Sequence, residues 1–165
     1  MVLAITGMLA ATALPSLSDA IARHRLRAAT TALTNSLQHA RTAALDRDQG
    51  TVVCPSANGR TCSGQTDWGV GWISRDRRTG DILAVEDALD PRLTAVAMGT
   101  RAEIALRHAV DDKHARPGNQ TLALCLRGKP ATTITVVVAK NGHSHVEAAS
   151  ADVARACAAR HSRNR

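Results

Sequence analysis

Residues 1–46 read MVLAITGMLAATALPSLSDAIARHRLRAATTALTNSLQHARTAALD, and the two halves of that stretch carry different patterns. The first fourteen residues hold no charge, and the first ionisable side chain is Asp19. Fourteen apolar residues fall short of the roughly 20 that a helix needs to cross a bilayer. From Asp19 onward, Leu26, Thr30, Leu33, Leu37, Ala40 and Ala44 recur at spacings of three and four, which places them on one face of a helix. Arg23, His24, Arg27, Asn35, Gln38 and Arg41 fall mostly on other faces. The spacing predicts one long helix to about residue 47, apolar all round at first and half-buried later. Gly50 supplies the stop at 48–50. Pro15 lies inside it, lacks an amide donor, and is expected to kink it. A cleaved signal peptide would need a basic segment before the apolar run and a cleavage site after it. Neither is present.

Beyond residue 50 the pattern changes to short β-prone runs at 51–54, 69–74, 82–85, 102–106, 121–126, 133–139 and 143–147, separated by Gly, Asp and Asn. Lys140-Asn141-Gly142 is a tight-turn signal between the last two runs. Residues 110–119 read as an exposed loop. One helix followed by a series of strands implies an α+β fold, an antiparallel β-sheet packed on the long helix. The expected organisation is 1–49 for the helix, with 1–18 its uncharged first part, then 50–149 for the β domain and 150–165 for a basic C-terminal tail.

Composition limits what this domain can be. The chain has 165 residues, enough for one core. Its aromatic residues are Trp68 and Trp72 alone, without Phe or Tyr, which argues against sites that stack bases or sugars on rings. The two tryptophans, four apart, are expected on one strand face in the core. The formal charge is +7, and its placement is uneven. Arg23, Arg25 and Arg27 form one cluster, and Arg155, Arg160, Arg163 and Arg165 another; 28–152 between them nets only +1. Basic ends point to anionic partners, either phospholipid headgroups or nucleic acid.

The cysteines are Cys54, Cys62, Cys125 and Cys157, none in a C-x-x-C pair, so zinc-ribbon and thioredoxin-like readings are poor. An even count downstream of a hydrophobic N-terminus fits an exported, oxidised domain. Of three possible pairings, Cys54–Cys62 is favoured because Pro55, Asn58 and Gly59 form a turn-rich loop between them. Cys125–Cys157 would then tie the C-terminal segment to a core strand. Four free thiols in a reducing compartment are the alternative. No nucleophile elbow, Walker loop, metalloprotease helix or paired-carboxylate site is present, so the reading is of a non-enzyme without cofactor.

Taken together, the run VLAITGMLAATALPSLSDAIARHRLRAA at 2–29 resembles the N-terminal helix of type IV pilins and pseudopilins. TVVCPSANGRTC at 51–62, WGVGWISRD at 68–76, GDIL at 80–83, TLALC at 121–125 and VVVAKNGHSHVE at 136–147 resemble the GspH/FimT branch of minor pilins. The resemblance implies a pilin-like fold and a structural subunit of a type IV pilus. The alternative is a minor pseudopilin, H-type, of the type II secretion system. It implies a bacterial inner-membrane protein with a single-pass helix, whose residues 1–18 are the membrane or filament-core part, and a periplasmic domain at 50–149, transferred into a filament on assembly. The implied partners are other pilins or pseudopilins through the N-terminal helix, and the inner membrane.

Family members begin with a basic leader and a Gly-Phe-Thr-Leu-Ile-Glu motif, where a prepilin peptidase cuts and N-methylates. Met1 aligns several residues downstream of that motif. Gly7 and Pro15 keep the family spacing, so the expectation is a start codon placed too late, with a truncated or degenerate gene as the alternatives.

The same resemblance directs attention to RHSRNR at 160–165. In FimT-like minor pilins an arginine-bearing tail resembling Gly-Arg-x-Arg is implicated in DNA binding during transformation. Arg163 and Arg165 match its arginines, and Ser162 stands where glycine would. Arg160 and Arg155 could add phosphate contacts, since guanidinium pairs bidentately with phosphate oxygens and stays charged. Lys140, His143 and His145 on the last hairpin could extend the basic surface. A solvated tail and edge strand are the plainer readings.

Overall fold

The apolar stripe of the long helix becomes its buried face. In the computed structural model, which describes residues 2–46, 50–106 and 119–160 and the side-chain surroundings from residue 17 onward, helix α1 (Val2–Asp46) runs without interruption through Pro15. Leu33, Leu37, Ala40 and Ala44 are fully covered, and Ala22, Leu26, Ala29 and Thr30 nearly so. Polar members of that face bond inward: Thr30 Oγ1 donates to the Leu26 carbonyl at 2.9 Å. Arg23, His24, Arg27, Asn35 and Gln38 are exposed. Among the described residues no helix is long and apolar enough to cross a membrane. The expected helix stop at 48–50 falls mostly outside the described residues, as does the loop expected at 110–119.

Two antiparallel sheets pack on α1, where the sequence predicted one. The first contains β1 (Thr51–Pro55), β2 (Trp72–Asp76), β3 (Ile82–Glu86) and β5 (Ile104–Leu106), in the order β3-β2-β1-β5. The second contains β4 (Leu93–Ala97), β6 (Gln120–Leu126), β7 (Lys129–Val138) and β8 (Ser144–Ala148), in the order β4-β6-β7-β8. A second helix, α2 (Ala151–Arg160), follows β8. Val53, Trp72, Ile104 and Leu106 of the first sheet join Leu122, Leu124, Val136 and Val138 of the second in one core with the α1 stripe. Thr51 closes the junction, its hydroxyl donating to the Ala40 carbonyl at 2.8 Å.

The opposite sheet faces are covered as well. Ala123 and Cys125 of β6 alternate with Leu122, Leu124 and Leu126, and form a second cluster with Val96 and Cys157. Side-chain period along a strand is two, so Leu faces α1 and the smaller residues face α2. Cys125–Cys157 bolts α2 to β6, with Cα atoms 6.4 Å apart. Cys54–Cys62 holds the 55–62 loop over the outer face of β1, where Val52, Cys54 and Ile73 are buried.

The tryptophans depart from expectation. Only Trp72 lies on a strand, because 69–71 is a turn and β2 begins at Trp72. Gly71 sets that boundary: its φ is +96°, and a Cβ there would sit 2.6 Å from the Glu86 carbonyl oxygen. Both rings are still buried, centroids 6.4 Å apart, and Trp72 Nε1 donates to Ser36 Oγ at 3.1 Å. The expected β7–β8 turn is present, with Gly142 at φ +76° and its amide bonded to the Ala139 carbonyl.

Candidate functional site

Two basic regions occupy opposite ends of the second sheet. At one end α2 presents Arg160, while Arg155 lies midway along the helix. This helix starts where Ser150 Oγ accepts from the Val153 amide at 3.4 Å, a capping contact, and carries Asp152 in its first turn. Arg155 pairs with Asp152. Arg160 is seated on the protein: its Nη1 donates to the Ala97 carbonyl at 3.1 Å and to Thr66 Oγ1 at 3.3 Å. Strand register puts Lys140 at this same end, since Ala97 pairs with Leu122 and Gln120 with Val138, next to the 140–142 turn. Lys140 is exposed. His143 Nδ1 lies 3.3 Å from Arg41 Nη1, and His145 lies 3.7 Å from Glu147. The structure thus brings Arg160 and Lys140 to one end of the sheet, and Arg163 and Arg165 lie outside the described residues.

At the other end, α1 enters the domain through a ring of charges. Lys129 Nζ donates to Asp19 Oδ2 at 2.6 Å, joining the β6–β7 turn to the helix. Arg25 pairs with Asp90 in the loop before β4. Asp90 Oδ1 also accepts from Arg92 Nε at 3.1 Å and from the Arg92 amide at 2.9 Å. Arg127 Nη2 reaches the Pro91 carbonyl at 2.6 Å. Arg92, by side-chain and backbone donation, and then Arg25 hold the Asp90 carboxyl well below the ordinary carboxylate range. Lys129 lowers Asp19 in the same sense, and Asp90 raises Arg92. Sequence reading found the helix arginines of this end and missed Arg92, Arg127 and Lys129. No local motif marks those three; only the hairpin geometry carries them to the helix.

A family model described as Type II transport protein GspH matches residues 29–142. The chain belongs to the GspH family. Membership accounts for the segments that run from the buried half of α1 to the β7–β8 turn. The fold of this GspH-family chain is also that of two crystal structures of the type IV minor pilin FimU from Pseudomonas aeruginosa. One, in space group P65, aligns with TM-score 0.56 at 20% identity over 76% of this chain and 94% of that one. The other, in P21, aligns with TM-score 0.57 at 20% identity over 79% and 92%. No curated protein matches the chain. Among the described residues there is no group of His, Cys, Asp or Glu arranged to hold a metal ion.

Proposed function

We propose that the chain is a minor pilin of a type IV pilus, a structural subunit that joins a filament through α1. The observation that carries this reading is where the buried stripe begins. Ala22 is covered, whereas Leu17 and Ile21, five residues and one residue ahead of it, are exposed. Helix α1 continues N-terminally from there to Val2, about 30 Å of rod at 1.5 Å per residue. Residues 2–18 of that rod carry no charge, and an uncharged helix needs apolar cover, which neighbouring helices in a filament or lipid would provide. The likeness to FimU, titled a type IV minor pilin, supports the same assembly. In this reading the subunit waits in the inner membrane with its disulfide-bonded domain in the periplasm.

The family description favours a second reading, a minor pseudopilin of the type II secretion system. Deleting the gene in its host separates the two. Loss of surface pili and pilus-dependent phenotypes supports the pilus; intact pili with blocked export of secreted enzymes supports the secretion machine.

We further propose that Arg163 and Arg165 contact DNA phosphates, with Arg160, Arg155 and Lys140 enlarging the positive surface. Seating of Arg160 on Ala97 and Thr66 would fix the point from which the following residues leave α2. Such binding would be sequence-independent and salt-sensitive. Duplex affinity of the chain and of Arg163→Ala/Arg165→Ala, at two salt concentrations, tests it. Weaker binding and a shallower salt slope in the variant are expected; equal affinity contradicts it.

A further inference from the structure

The base of the domain combines features that no single element shows. Arg23, Arg25 and Arg27 project from α1, Arg92 from the loop before β4, and Arg127 and Lys129 from the β6–β7 turn. Contacts tie the loop and turn to the helix: Lys129 with Asp19, Arg25 and Arg92 with Asp90, and Arg127 with the Pro91 carbonyl. All six cations are exposed, while Asp90 is only 14% exposed. Counting against them Asp19, Asp90, the nearby exposed Asp87, and Glu147, which lines one groove with Arg23 and Arg27, leaves a net charge of +2 around this part of the helix. At its N-terminal edge, Leu17 and Ile21, which flank Asp19, are exposed at 59% and 42%, and no residue before Asp19 is charged.

We propose that this collar is a docking surface for anionic phospholipid headgroups, against which the domain seats while the helix N-terminal to it lies in the bilayer. The order along α1 carries the assignment: an uncharged segment to Ser18, exposed Leu17 and Ile21 on either side of the Asp19–Lys129 pair, then the guanidinium groups of Arg23, Arg25 and Arg27. That sequence of chemistries matches acyl chains, interface and headgroup phosphates in turn. Guanidinium forks suit phosphodiesters, and cations on loops flanking the helix widen the contact beyond the helix itself. A polyanion in solution would explain the charge but not the adjoining exposed apolar side chains. The inference rests on the membrane-stage subunit proposed above and adds the lipid class and residues.

Flotation of the full chain with phosphatidylcholine vesicles, with and without phosphatidylglycerol, tests it. Two independent collar pairs are needed, Arg23→Gln/Arg27→Gln from the helix and Arg92→Gln/Arg127→Gln from the loops. The control pair, Arg60→Gln/Arg77→Gln, removes equal charge at exposed positions elsewhere. The collar account expects tighter binding to the anionic vesicles, reduced about tenfold by each collar pair at moderate salt and unchanged by the control. Equal binding to both vesicle types overturns the collar and leaves the apolar anchor standing. An equal loss in the control pair overturns it too, as does an effect of the collar pairs on duplex DNA binding alone. Absence of binding to either vesicle overturns the membrane-stage reading and the collar together.

Discussion

At Asp90 donors from two arginines and a backbone amide converge, and the consequence is a pH-dependent grip on α1. Its carboxyl is depressed from the ordinary 3.8, first by the Arg92 side chain and amide, and in smaller part by Arg25. A depressed folded-state value means that the contribution to stability is complete above the ordinary value and lost as pH falls through the native one. Asp90→Asn should therefore lower the thermal midpoint at neutral pH. The gap to the natural chain should narrow below pH 3.8 and close in stronger acid. Thermal melts across pH check this; a gap that persists unchanged in acid would mean that packing, not charge, is what Asp90 supplies. At the buried tryptophans the effect is of another kind. Ser36→Ala would leave Trp72 Nε1 without its acceptor, beside a Trp68 Nε1 that is buried with no partner among the described residues. A loss of about 1–3 kcal/mol in denaturant melts is expected.

Element by element, α1 is held by side-chain volume and α2 by a covalent bond. Leu37→Ala, at a fully covered position in the middle of the α1 stripe, should cost about 2–5 kcal/mol, while exposed Asn35→Ala should stay within about 0.5 kcal/mol. Denaturation midpoints of both variants test the stripe directly. The Cys125–Cys157 link spans 32 residues in sequence and Cys54–Cys62 spans 8. Loop-closure entropy makes the longer link the more stabilising, about 3–4 kcal/mol against about 2.5. Replacing each pair by serine and comparing unfolding free energies checks the order.

The same elements show what a sequence discloses and what it hides. The α1 face was legible because Leu26, Leu33 and Leu37 repeat with a helical period against a polar background, and that contrast exists only on a half-buried helix. The β7–β8 hairpin was legible because Asn141-Gly142 names its turn. Strand β4, LTAVA, was missed: covered on both faces, it shows no alternation, and its alanines have little β preference. Helix α2 reads as a tail in the sequence because its alanines and arginines suit solvent. Its signals were Ser150 at the cap, Asp152 in the first turn, and the small residues of β6 that leave room for it. The collar was half visible, since α1 lists its own arginines in order while Arg92, Arg127 and Lys129 arrive by tertiary pairing.

For the whole molecule, the division along α1 is the governing feature. The stripe from Ala22 to Ala44 belongs to the chain's own core, whereas Leu17 and Ile21, ahead of it, are exposed. The proposed pilin role makes that exposed segment the part of the chain that neighbouring subunits cover. On that account Leu17→Asp/Ile21→Asp would leave the domain folded, with an unchanged melting profile, and still prevent assembly.

Immunoblotting of sheared filaments from the host, carrying either the natural chain or Leu17→Asp/Ile21→Asp at equal cellular level, measures that directly. The account predicts the natural chain in the filament fraction and the variant retained with the cells. Natural chain missing from the filaments, or variant incorporated as well as the natural chain, would contradict it.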